Sequence, residues 1–147
     1  MTKVLVLHGP NLNLLGEREP EVYGSERLES IDRRLKEEGE SLGLEVRTLQ
    51  SNHEGALIDA IHEARGWADA LIVNPGGLTH TSVALRDAIA AVRLPAIEVH
   101  LTNIFGREKF RRKSITAGAC RGVIAGFGPE GYLMALRSVA KILHVEG

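Results

Sequence analysis

Arg18 and Tyr23 lie in one polar stretch, His8 to Gly24, and together they could supply a base. A guanidinium beside a phenol favours the phenolate, because an opposite charge lowers an acid's pKa. Free tyrosine titrates near about 10. The competing reading is a solvated arginine and a tyrosine that packs a lid. Glu98 and His100 stand two apart in an apolar run, so they share one face of a strand. A charge buried there needs a partner. Such a pair is either structural or the means of holding a catalytic imidazole in one orientation. Asn11 in Gly9-Pro10-Asn11 and Asn74 in Asn74-Pro75-Gly76-Gly77 are turn formers or site amides. His80, between two threonines, starts a helix or faces a ligand, and Asp87 beside Arg86 belongs to a solvated helix face or to the site. Leu101, Thr102 and Asn103 follow His100, and Arg111 belongs to a basic cluster with Arg107, Lys109, Arg112 and Lys113.

The elements that must position these groups can be read from the apolar pattern. Residues 3–8 predict a first strand, and Leu28, Ile31 and Leu35 mark a helix that begins near Ser25–Glu26. Gly43 is a natural stop for it. Glu45–Leu49 alternates as a second strand, and Leu57, Ile61 and Ala64 mark the next helix. Ala70–Val73, Ala96–His100 and Gly122–Ala125 are short strands, the first of them apolar throughout as in a sheet covered on both faces. Helices from about Ser82 and after Pro129 complete the chain, with a short helix near Arg107–Arg112. Strand and helix alternate five times without repeat or linker. Right-handed crossovers then predict an α/β, flavodoxin-like three-layer sandwich: one domain over residues 1–147 and a parallel five-stranded sheet of order 2-1-3-4-5. In that order strands one, three and four are neighbours, and their polar groups converge at one sheet edge. Ligands of open α/β sheets bind outside the carboxyl ends of the strands. The long connection after strand one exceeds the usual length and reads as a functional loop or lid.

Composition narrows the chemistry. The net charge of −1 gives no electrostatic footprint for nucleic acid. The basic cluster is of a size that suits a small anion or faces water. The single Cys120 excludes an internal disulfide and argues against a cysteine metal cluster. With neither a signal peptide nor a membrane-spanning run, the expectation is a soluble, cytoplasmic protein. Gly126-x-Gly128-x-x-Gly131 matches a dinucleotide pattern but follows the last strand, so it reads as a tight turn with close helix packing. No phosphate loop or nucleophile elbow occurs, the six histidines lack ligand spacing, and no lysine sits in an apolar context suited to a Schiff base. The expectation is therefore a site without metal or cofactor.

Several motifs together resemble type II 3-dehydroquinate dehydratases. They are Gly9-Pro10-Asn11-Leu12-Asn13, Gly16-x-Arg18-Glu19-Pro20-x-x-Tyr23-Gly24, Gln50 to Gly55, Asn74 to Ser82 and Ala84 to Ala88. Glu98 to Asn103, Arg107-Glu108 and Phe110-Arg111 continue the likeness nearly end to end. The resemblance implies reversible dehydration of 3-dehydroquinate to 3-dehydroshikimate, without metal or covalent intermediate, in a flavodoxin-like subunit that assembles as a dodecamer of trimers. It implies Tyr23 as base, Arg18 as its activator, His100 as acid, and Asn11 holding a water at the enolate. Asn74, His80, Leu101, Thr102 and Arg111 would bind substrate, Glu98 would support His100, and Asp87 would help close the site, from a neighbouring subunit. Against that pattern, His8 stands where a small or amide residue is expected and would alter the surroundings of Asn11. Thr102 replaces a common serine but keeps the hydroxyl, and Gly106 replaces an alanine, which would loosen the segment leading to Arg111. The alternatives are a non-catalytic module that binds a nucleotide or flavin, and a receiver-type signalling domain. The second would need acidic residues after strand one and a phosphorylatable aspartate after strand three, where this chain has Gly-Pro-Asn and Asn-Pro-Gly-Gly.

Overall fold

Alternating strands and helices of this length bury their apolar sides only as layers, and the computed structural model, which describes residues 1–144, has that form. In chain order the elements are β1 (Thr2–His8), α1 (Pro20–Tyr23), α2 (Leu28–Ser41), β2 (Leu44–Gln50), α3 (Glu54–Ala64), β3 (Ala70–Asn74), α4 (Val83–Val92), β4 (Ala96–His100), β5 (Gly122–Ala125) and α5 (Glu130–Ile142). All neighbouring strands are parallel, in the order β2-β1-β3-β4-β5. This is the flavodoxin-like order expected from the pattern.

Alternate residues of β1 and β3, two inner strands of the sheet, feed two separate cores. Val4, Val6, Ile72 and Val99 pack against Ile31 and Leu35 of α2 and Leu136 and Val139 of α5. Leu5, Leu7, Leu71 and Val73 pack against Leu57 and Ile61 of α3 and Leu85 and Ile89 of α4. Each such side chain contributes about 1.5–3 kcal/mol by leaving water, so the strand ends are held by a rigid frame.

The carboxyl ends of β1, β3 and β4 open on one edge. The loops after β1 and β3 are pinned there by the Gly9 N–H, which donates to the Asn74 carbonyl at 2.8 Å. A side chain at Gly9 would place its Cβ 2.4 Å from the Pro75 oxygen, so this approach requires glycine.

Three local expectations change. The first long helix begins at Leu28, not near Ser25–Glu26. The Glu26 carboxylate instead accepts from Ser30 Oγ and Arg34 Nη1, each at 2.7 Å. The lid carries its own helical turn, α1, started by Pro20. The helix expected near Arg107–Arg112 is two short 3-10 turns, Ile104–Gly106 and Lys109–Arg111.

Candidate active site

One cleft at this sheet edge gathers most of the singled-out residues. Asn11, Arg18, Tyr23, Asn74, His80, His100, Leu101, Thr102 and Arg111 line it, with Arg107 added. It encloses a cavity of about 190 Å³, small enough to suit a compact ligand. Its lining holds arginines and histidines and no acidic side chain, so the field there favours an anion. A larger groove lies at the opposite edge, by the amino ends of β1 and β2, and Glu29, Asp32, Glu37, Glu40 and Glu45 line it. It lacks the strand-end loops and the donor set of the first cleft, so size is a poor guide here.

Tyr23 comes to the cleft on α1, half-buried against the α2/α5 core. Two guanidiniums flank its ring, Arg107 Cζ at 5.1 Å from the centre and Arg18 at nearly the same distance, and only Arg107 also reaches the hydroxyl. Arg18 Cζ sits over the ring face, 5.2 Å from its centre. Arg107 Nη1 donates to the hydroxyl oxygen at 2.9 Å. Arg18, expected as the activator of Tyr23, therefore lies beside the ring, and Arg107, which the sequence did not tie to Tyr23, reaches the hydroxyl oxygen. Arg107 comes from the far side of the cleft, where its own carbonyl is anchored by Arg112 Nε at 2.8 Å.

His100 ends β4 and is buried. Its Nε2–H donates to the Glu98 carboxylate at 2.8 Å, which leaves Nδ1 as the nitrogen free for chemistry. Glu98 is fully buried and also accepts from Ser114 Oγ at 2.7 Å and from Thr116 Oγ1. Burial alone would raise its pKa. The bonds from His100, Thr116 and Ser114 outweigh that and hold the carboxyl below its usual range. Sequence reasoning missed Ser114 and Thr116, because hydroxyls in an aperiodic segment carry no spacing signal.

His80 Nδ1–H donates to the Lys113 carbonyl at 2.8 Å, which orients Nε2 as its free nitrogen. Arg111 is held by Glu108 at 3.1 Å through Nε alone. The backbone amide of Glu108 first, then Arg111, lowers the Glu108 pKa. Asn11 is set in the left-handed region, φ 71°, with its N–H donating to Asn52 Oδ1 at 2.9 Å. Asp87 is exposed on α4 and does not line the cleft of its own chain. The His8 ring bonds Tyr132 and Asp32, not Asn11. At Gly106 a Cβ would meet only Asn103 Nδ2 at an ordinary 3.7 Å, so nothing here requires glycine. Among the described residues no cluster of three or more His, Cys, Asp or Glu could hold a metal ion, and no helix is long and apolar enough to cross a membrane.

The profile of a family described as Dehydroquinase class II matches residues 2–140. A 3-dehydroquinate dehydratase of Ruegeria pomeroyi is 56% identical over 147 residues, spanning 100% of this chain and 99% of the relative. One from Halothermothrix orenii is 54% identical, over 97% of each. The crystal structure of a type II dehydroquinase from Butyrivibrio crossotus superposes with a TM-score of 0.92 at 46% identity, covering 94% of this chain and 97% of that one. Another, from Propionibacterium acnes, gives 0.93 at 39% identity over 96% and 97%.

Proposed function

The chain belongs to the class II dehydroquinase family, and from that premise we propose that it is a 3-dehydroquinate dehydratase, a hydro-lyase that removes water from 3-dehydroquinate reversibly to give 3-dehydroshikimate. The observation that carries the reading is the joining, in one cationic cleft, of a lid tyrosine bonded to arginine and a strand histidine bonded to a buried carboxylate. The alternative of a nucleotide- or flavin-binding module gains nothing from the site: the glycines 126–131 form the turn into α5, where a Cβ added at Gly131 would lie 3.4 Å from Val99.

The reaction removes a weakly acidic proton alpha to a ketone and expels a hydroxyl from the next carbon. Tyr23, as phenolate, takes the proton. The Arg107 donor is aimed at its oxygen and Arg18 at its ring, so both cations meet negative charge on the phenol. An enolate forms, and a water held by Asn11 stabilises its oxygen. His100, protonated on Nδ1, delivers a proton to the departing hydroxyl, which leaves as water. The Glu98 carboxylate beneath it pairs the imidazolium. Base and acid come from different walls of the cleft, as an anti elimination needs. General acid–base assistance contributes roughly a hundred- to ten-thousand-fold per group.

The substrate carboxylate is assigned to the Leu101–Thr102 turn and Arg111, and its hydroxyls to Asn74 and His80. Asp87 acts only when a neighbouring subunit brings it to the cleft, in a cytoplasmic dodecamer built of trimers. No metal or cofactor takes part.

The direct test follows the ultraviolet absorbance of the conjugated enone when protein meets 3-dehydroquinate. Folded protein that produces no signal ends the proposal. Tyr23→Phe should lose most turnover with its fold intact, and wild-type rates would remove Tyr23 as base. Activity should survive chelators and borohydride. A light-scattering mass tests the dodecamer.

A further inference from the structure

Asn74 is the last link in a line of buried polar groups that crosses the apolar layer beneath α2 and α5. Its Nδ2 lies 3.0 Å from Tyr132 Oη. Tyr132 Oη lies 2.8 Å from His8 Nδ1, and His8 Nε2 lies 2.7 Å from Asp32 Oδ1. His8 and Tyr132 are 0% exposed and Asn74 is 4% exposed, so bulk water cannot replace a missing partner. Only Asp32, on α2, reaches the surface, at the rim of the acidic groove.

The hydrogens can be placed from the two ends. The Gly76 N–H donates to Asn74 Oδ1 at 3.2 Å, so the amide nitrogen of Asn74 must face Tyr132 and donate to it. A phenol that accepts there has to send its own proton elsewhere, and its other partner is His8 Nδ1. His8 therefore carries its proton on Nε2 and gives it to the Asp32 carboxylate. Burial, reinforced by the Asp32 charge, pushes the Tyr132 pKa up and keeps the hydroxyl a donor, although the Asn74 bond acts the other way. Every donor in the line points away from the cleft. A flipped Asn74 amide would set its NH₂ against the Gly76 N–H and point its oxygen at a phenol whose proton is already given to His8. A small residue at position 8 would leave that phenol proton without an acceptor.

We propose that Asp32, His8 and Tyr132 are positioning residues, which hold the Asn74 carboxamide in one of its two orientations and thereby set how well the cleft binds its substrate. The inference rests on the dehydratase reading for its kinetic part.

Two measurements test it. In protein labelled with 15N-histidine, His8 should show a protonated Nε2 and a bare Nδ1, and an Nδ1–H tautomer overturns the proposal. That readout does not involve turnover. In kinetics with 3-dehydroquinate, Tyr132→Phe keeps the ring that fills the core and removes the hydroxyl. KM should rise about three- to tenfold, the range of one buried hydrogen bond, with the loss falling on KM rather than kcat. In an Asn74→Ala background the same change should add less than about twofold, because the effect passes through Asn74. An equal effect in both backgrounds means a merely structural tyrosine and overturns the proposal. Should Tyr132→Phe not fold, Asp32→Ala at the half-exposed end must raise KM in the same direction and lose that effect without Asn74. If it does neither, the proposal falls. Wild-type protein that makes no enone refutes the dehydratase instead and leaves the tautomer result standing.

Discussion

Replacing Arg107 with methionine separates two accounts of how Tyr23 is activated. The Arg107 side chain is only 17% exposed and donates to the Tyr23 oxygen at 2.9 Å. Hydrogen bonds to charged groups contribute about 1.5–3 kcal/mol net. With roughly 1.36 kcal/mol per factor of ten, kcat/KM should fall about 10- to 150-fold. Arg18 meets the ring face at 5.2 Å. A cation–π contact of that kind is worth about 0.5–1 kcal/mol when exposed, so Arg18→Met should cost roughly two- to fivefold through Tyr23. Arg107 Cζ also lies 5.1 Å from the ring centre, so both variants lose a ring contact and only Arg107→Met also loses the bond to the oxygen; the other contacts of Arg107 weigh little. Its link to Glu108 spans 3.7 Å to a carboxylate that is half exposed, and such pairs stabilise little. The anchor from Arg112 uses the main-chain carbonyl of residue 107, which methionine keeps. Steady-state enone formation, with circular dichroism as the fold control, reads the result. An Arg107→Met enzyme within about threefold of wild type would refute the reasoning, and so would a larger loss in Arg18→Met.

Other outcomes follow from the same geometry. Glu98→Gln should lower kcat by roughly tenfold or more, because His100 loses the charge that pairs its imidazolium, and unchanged turnover would show that the pair is only structural. The same residue sets an acid limit. Its folded pKa lies below the ordinary 4.5, so its contribution to stability is full above that value and is lost as pH falls through the folded pKa. Urea midpoints should therefore drop on acidification below 4.5 more steeply in wild type than in Glu98→Gln, and parallel curves would contradict this. Burial first, then the Glu98 charge, pushes the Cys120 thiol up to about 12. In the native protein it should react with a thiol reagent at neutral pH far more slowly than in urea, and equal rates would refute the raised pKa.

The frame of this protein was readable in its residues because each of its signals is local. A short apolar run with a breaker at either end is enough to place β4 and β5, and period-3.6 stripes are enough to place the helices on the two faces. Once β1, β3 and β4 are known to be parallel neighbours, their carboxyl ends must share an edge, and so Asn11, Asn74 and His100 had to meet. What could not be read is which polar atoms pair across that edge. Arg107 and Tyr23 are 84 residues apart, and their contact depends on how an aperiodic segment folds back over the lid. Ser114 and Thr116 reach Glu98 from the same segment. His8 shows the limit most clearly. Its place before Gly-Pro-Asn points to the surroundings of Asn11, yet strand alternation turns its ring toward the α2/α5 layer, where Tyr132 and Asp32 take both nitrogens. A strand reverses its facing at every residue. His8, the last residue of β1, therefore serves the layer its ring faces and not the turn three residues on, and the consequence of an unusual residue there has to be sought across that layer.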